Sequence, residues 1–412
     1  MSSSSSRPPL VPMVATGMLC TIVLVVFARL AYGLVLPAMR EGLGLSYAAA
    51  ANLGTVTALG YLILVMVAGA FAARWGARLA IIIGLCLATT GFVGLSLVSD
   101  YVALMVMMTL LGFGTAFGYT PLISLLGSWF PNRRGAVIGF ANGGVGLGML
   151  IAGALVPYLT SGQTPYDWRT VWALFACAGA LVLVVAIMML RNPPVHNATS
   201  DSAQIPLPLV RAGVYKNPHV ITVGLVYGVV GATYIVQSLF MFSYTLDSGI
   251  PALTAGRLAS MMGLLAIFAG PAWGWISDHI GRSNSLVLSM GFSFLGQVLP
   301  VIWPTLPVFV AHYVILGLCM SGLFTSVLAA STETVHPRHA AVAVSFVTLF
   351  FATGQLLGPA LAGPMIEWTG GFRTLFACTS LLMLGSIFLC WHTRKSATGG
   401  APATANLAQK ES

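Results

Sequence analysis

Apolar residues run along this chain in long blocks, and polar residues collect in short clusters between them. Stretches such as Ile81–Leu87 and Leu181–Leu190 carry no charge at all. Cutting at the turn residues predicts helices near 11–37, 47–73, 79–99, 101–126, 135–159, 168–190, 219–243, 253–276, 284–303, 306–330, 340–364 and 372–392. Each is long enough for the roughly 20 residues that cross a bilayer core. Strands of a membrane barrel would alternate apolar and polar positions, and these blocks do not. The Ser-rich start with Arg7 looks like a secretion signal. The apolar stretch behind it is too long for one, and no small-residue cleavage site precedes Arg29, so it is kept as the first span.

Composition agrees with this pattern. Of 412 residues, 58% are hydrophobic, and charged residues make up only 7%, 18 basic and 9 acidic. A soluble domain carries about 25% charged residues, so a soluble enzyme is excluded and an all-α membrane protein is expected. The 46 glycines suit closely packed membrane helices. Cys20, Cys86, Cys177, Cys319, Cys378 and Cys390 stand singly in or beside apolar runs, without metal-ligand spacing. They read as inert thiols, and no metal or cofactor is implied. No strand precedes the glycines of the fifth and eleventh helices, so they are packing residues and not a phosphate loop.

The net charge of +9 becomes a topology signal once it is placed on the spans. With both termini on the cytoplasmic side, that side receives Arg7, Arg74, Arg78, Arg133, Arg134, Arg191, Arg211, Lys216, Arg282, Arg338, Arg394, Lys395 and Lys410. The opposite side receives only Arg40, Arg169 and Arg373. This bias sets the orientation and removes nucleic acid as a partner, leaving the lipid bilayer and a small-molecule substrate.

The polar, Pro-rich stretch Arg191–Asn217 divides the chain into a six-helix half over 1–190, a cytoplasmic linker over 191–218 and a second half over 219–412. An internal repeat supports the cut. Gly69, Ala73, Arg74 and Gly76 match Gly274, Asp278, His279 and Gly281; Pro131 matches Pro337; and Trp168-Arg169-Thr170 matches Phe372-Arg373-Thr374. All three matches lie at nearly one offset, as in transporters built from duplicated halves with a site at their interface.

These motifs resemble the major facilitator superfamily. Gly69, Arg74, Gly76 and Arg78 form a degenerate copy of its loop signature, with Ala73 in place of the aspartate; Gly274, Asp278, Gly281 and Arg282 form a second copy. Gly112 and Gly114 through Pro121, Trp129-Phe130-Pro131, Arg133-Arg134-Gly135 and the run Gly143 to Gly148 are similar to the monocarboxylate and oxalate porters. Arg29-Leu30-Ala31-Tyr32 through Pro37, with Asp167 to Trp172, looks like the YbfB/YjiJ group of bacterial transporters. The resemblance implies two pseudo-symmetric six-helix bundles working as a monomer in a bacterial inner membrane. The porter branch carries an Arg-Pro pair on helix 8, whereas this chain has Gly270-Pro271.

Arg29 and Arg257 are the arginines inside spans, and all nine acids fall in loops, tails or helix ends. An ionisable group in the bilayer is costly and faces a partner or cavity, so an electropositive cavity for a small organic anion, a monocarboxylate, is expected. Arg29 would hold the carboxylate through its planar fork, with Tyr32 on its face and Arg257 as a second contact. Tyr61, Tyr119, Tyr227, Tyr234, Gln237 and Gln355 would complete the site. His312 reads first as a hydrogen-bonded core histidine and second as a proton site. By the resemblance, Asp278 would latch the cytoplasmic gate against Arg133 and Arg134, with Arg74, Arg78 and Arg282 around it. The alternative is an exporter of neutral or amphipathic compounds, with Arg29 structural.

Overall fold

The computed structural model describes residues 10–162, 164–193, 214–335 and 339–399, less the side chains of Pro271, Asp278, Arg282, Ala341 and residues 392–399. Most of the linker lies outside these residues, as do Arg7, Arg211, Arg338 and Lys410. Within them the chain is helical, with twelve helices long and apolar enough to cross a membrane.

The first helix, α1, is a composite of Leu10–Thr21, a π-helical segment Ile22–Leu30, and Tyr32–Leu43. It therefore continues past Pro37, where the sequence pattern ends it. The others are α2 (Tyr47–Trp75), α3 (Ala77–Leu97), α4 (Tyr101–Trp129), α5 (Arg134–Thr160), α6 (Trp168–Met189) and α7 (Pro218–Asp247). The series closes with α8 (Ala252–Ile280), α9 (Arg282–Ile302), α10 (Leu306–Ala330), α11 (Ala340–Thr369) and α12 (Phe372–Gly399). Side chains before the first turn start several of them. Ser46 accepts from Ala49 N at 3.2 Å, and Asp100 accepts from Ala103 N at 2.9 Å. Asp167 accepts from Arg169 N at 3.0 Å. These bonds satisfy backbone donors that the helix itself leaves open.

Glycines in the left-handed region record the duplication in the backbone. Among the described residues they are Gly44, Gly76, Gly162, Gly249, Gly281 and Gly370. They form three pairs, 44 with 249, 76 with 281 and 162 with 370, each joining the same two helices of its half. A side chain at positive φ is strained, so each half needs glycine at the same turns.

Helices α1–α6 and α7–α12 pack largely among themselves, and the halves meet through α2 with α11, α5 with α8 and α1 with α7. These contacts sit towards the end of the bundle away from the termini. Gly146 approaches Gly263, and Gly153 approaches Gly256, so closely that a Cβ on either would meet backbone. Ser260 Oγ donates to Leu150 O at 2.9 Å across the halves. Nearer that end, Gly363 packs on Ala51, and Glu367 Oε1 accepts from Ala48 N at 2.8 Å. Towards the termini, by contrast, a Cβ at Gly139 and Gly143 on α5 or at Gly270 and Gly274 on α8 would meet nothing within 4 Å among the described residues, and Phe140 and Phe268 are exposed. The bundle is thus sealed at its far end and splayed at the end carrying the termini.

Candidate functional site

Arg29 lies near the middle of α1, on the last turn of the π-helical segment. A π turn carries one more residue than an α turn, so backbone partners shift: Ala31 N bonds Val26 O at 2.8 Å, five residues back. The carbonyl of Leu24 gains a donor from another helix, Thr115 Oγ1 of α4, at 2.6 Å. Room for the wider turn comes from glycines, since Gly118 faces Leu24 and Gly148 faces Val26. Segments of this kind often mark functional positions, and here the turn ends on the one arginine at mid-membrane.

The guanidinium is held by neutral groups. Arg29 Nη2 donates to Gln355 Oε1 on α11 at 2.9 Å, which ties one half to the other. Its central carbon stands 4.9 Å from the centre of the Tyr61 ring, a cation–π distance. Among the described residues Arg29 makes no ion pair; the single one found joins Arg169 and Asp167 at 4.0 Å on the surface.

Two cavities lie between the halves here, and Arg29 lines one of them. The smaller is lined by Arg29, Tyr32, Thr57, Met108 and Ser238, among others. The larger has a volume of about 100 Å³, and its wall includes Tyr234, Gln237, Ser238, Met149, Met241 and Met320. Ser238 lines both. Gln237 is 7% exposed, and its Oε1 has no hydrogen-bond partner among the described residues.

The remaining candidates divide. Tyr32 lines the smaller cavity, but its hydroxyl is committed to Ala50 O at 2.8 Å, so the residue acts as wall and brace. Tyr227 is buried and stacks on Phe351 with centroids 4.4 Å apart, and Tyr234 packs edge-on to Phe324 at 5.1 Å. Tyr119 donates to Asn142 Oδ1 at 2.9 Å, linking α4 to α5 within one half. Arg257 is exposed near the start of α8 and lines neither cavity, so it is not brought to Arg29. His312 is fully buried between helices, with Nδ1 2.6 Å from Gly296 O, and it also lines neither cavity.

The gate residues stand apart at the splayed end. The side chains of Asp278 and Arg282 lie outside the described residues. Arg133 and Arg134 are exposed, Arg134 lying over Gly127. Arg74 covers the Trp75 ring at 4.8 Å. Arg78 serves the packing of its own half. Its Nη2 donates to Ile187 O at 2.6 Å, and its backbone N donates to Asn192 Oδ1 at 2.9 Å, fastening α3 to the end of α6. Two features have no counterpart in the sequence pattern: the π turn and the reach of Glu367 to α2.

Comparison with known proteins adds the family. Human monocarboxylate transporter 11 is 27% identical over 345 residues, covering 78% of this chain and 70% of that protein. The oxalate:formate antiporter of Oxalobacter formigenes is 23% identical, covering 76% of this chain and 74% of its own. In fold, a point mutant of the nucleoside transporter NupG superposes with a TM-score of 0.77 at 13% identity, covering 93% of this chain and 99% of that one. A bacterial homologue of the human lysosomal transporter Spinster, inward-facing and unoccupied, gives 0.77 at 16% identity, covering 96% and 98%. The two pseudo-symmetric six-helix bundles are therefore the major facilitator fold, and the chain is a transporter and not an enzyme. The family model described as "Uncharacterised MFS-type transporter YbfB" matches residues 21–390, and this chain belongs to that family.

Proposed function

We propose that the protein carries a small organic anion, a monocarboxylate, by alternating access of its two halves, 1–190 and 219–412, about the cavity beside Arg29. The observation that carries the reading is an arginine at mid-membrane with neutral partners only, on the wall of a cavity at the interface of the halves. A guanidinium there costs at least about 2.5 kcal/mol on insertion scales. Gln355 and Tyr61 offset part of that and leave the charge to be neutralised by cargo. A carboxylate would displace or share the Gln355 bond and gain a charge-assisted pair. The sequence relatives named for monocarboxylate and oxalate transport accord with an anion.

The Lys/Arg bias sets the termini in the cytoplasm of a bacterial inner membrane. The splayed end then faces inward, and the expected latch of Asp278 with Arg133 and Arg134 would hold that end shut in the outward-facing state of the cycle. Any coupled proton travels with the carboxylate, because His312 is sealed away from both cavities.

Uptake into proteoliposomes tests the reading. Losing one member of a buried charge-assisted pair costs about 2–5 kcal/mol, so Arg29→Ala should lower carboxylate transport by about thirtyfold or more. Unchanged uptake of every transported acid in that variant would falsify the anion site.

A further inference from the structure

We propose that the cargo is an amphipathic acid of aryl-alkanoate size. Its carboxylate meets Arg29, its apolar body fills the larger cavity, and a hydroxyl or N–H on that body donates to Gln237. This rests on the anion reading above and adds the rest of the molecule to it.

Three observations define that remainder. The first is extent: the larger cavity is walled by residues of five helices, α1, α5, α7, α8 and α10, more wall than a two- or three-carbon acid can touch. The second is the wall. Met149, Met241, Met262 and Met320 come from four different helices, α5, α7, α8 and α10, with leucine and alanine between them. Thioether side chains are flexible and polarizable; they mould to apolar bodies of differing shape and contact aromatic rings favourably. Such a wall gives a small, fully hydrated acid nothing to bind. The third is the orphan amide. Gln237 is buried in this wall, and its Oε1 lacks a donor among the described residues. A buried acceptor without a partner is costly, and a ligand donor entering the cavity relieves it.

The placement joins the two ends. Ser238 lines both cavities, and Tyr234, one helical turn before it, lines the larger. A molecule with its carboxylate at Arg29 therefore has its body directed past Ser238 into the methionine chamber. Both ends of the cargo are read by α7, and the charged end by α1.

Competition binding on the purified full-length protein tests this with three sets of probes. The first is straight-chain acids from acetate to decanoate, the second 3-phenylpropionate against 3-(4-hydroxyphenyl)propionate, and the third the primary amides of the same compounds. Affinity should rise about fourfold per added methylene until the chamber is full, then fall. The hydroxylated aryl acid should bind about threefold to tenfold tighter than the plain one. That preference should vanish in Gln237→Leu, and Ala266→Phe, which fills the wall, should move the optimum to shorter chains. Affinity that is flat or falling from acetate upward, with Arg29→Ala still abolishing binding, overturns the chamber and leaves the anion site standing. Amides that bind as tightly as their acids, unaffected by Arg29→Ala, overturn the anion site and this proposal with it. The preference for the hydroxylated acid is read on the unmodified protein, so it holds or fails even if a variant does not fold.

Discussion

At the scale of single residues, the partner of Arg29 is as informative as the arginine. Gln355 is 4% exposed and spends its oxygen on the guanidinium across the interface. A neutral acceptor stabilises the charge without cancelling it, whereas an aspartate at the same place would form an ion pair that a substrate must break. Gln355→Leu should therefore tighten carboxylate binding modestly, by about threefold to tenfold, because the acid no longer displaces a hydrogen bond. Gln355→Glu should weaken it, because it supplies an internal anion. Equilibrium binding of a transported acid to the two variants measures the difference, and equal affinities would argue against a competing role for this residue. Both residues stand out in the sequence as polar groups in apolar spans. Their pairing does not, because 326 positions separate them and no local pattern links the two. Arg257 stands out for the same reason, yet its side chain lines neither cavity. On a helix that is apolar on all sides, sequence cannot tell which face looks inward.

At the scale of elements, the π turn of α1 is the least legible feature and one of the most consequential. Ile22–Leu30 is apolar throughout apart from Arg29. An apolar run reads the same at any helical pitch, so its periodicity cannot reveal a widened turn. The supports of the turn are visible only in three dimensions: Thr115 on the Leu24 carbonyl, with Gly118 and Gly148 giving room. Thr115→Val keeps the shape and removes the donor, leaving a buried carbonyl less satisfied. It should cost about 1–2 kcal/mol, seen as a lower unfolding temperature in detergent, and should reduce uptake because the turn aims Arg29. Thr115→Ser should retain both stability and transport. A valine variant with the stability and uptake of the parent would show that the turn needs no outside support.

At the scale of the whole molecule, the helix count and the duplication are readable in the chain, since both follow from apolar run lengths and turn residues. The conformation is not, because a sequence holds every state of the cycle at once. The observed seal at the far end includes a carboxylate of one half on the first turn of a helix of the other, Glu367 to Ala48 N, where the helix dipole favours it. The contact is exposed, so screening keeps it modest. It exists only while that end is shut, and Glu367→Gln should shift the population towards opening there. Pulsed electron-spin distances between labels on α2 and α11 near that end should lengthen in a larger fraction of molecules. An unchanged distribution would assign the seal to the glycine contacts alone.

The Arg29–Gln355 bond also bears on kinetics. A carrier whose binding charge is bare when empty has difficulty reorienting, and its flux depends on cargo travelling both ways. Here the empty protein supplies a stand-in acceptor from its own opposite half, so the unloaded return step meets no naked charge. Net influx into vesicles that start without internal substrate should then run at a rate comparable to exchange. Strict dependence of influx on preloaded substrate would show that Gln355 does not serve the empty carrier in this way.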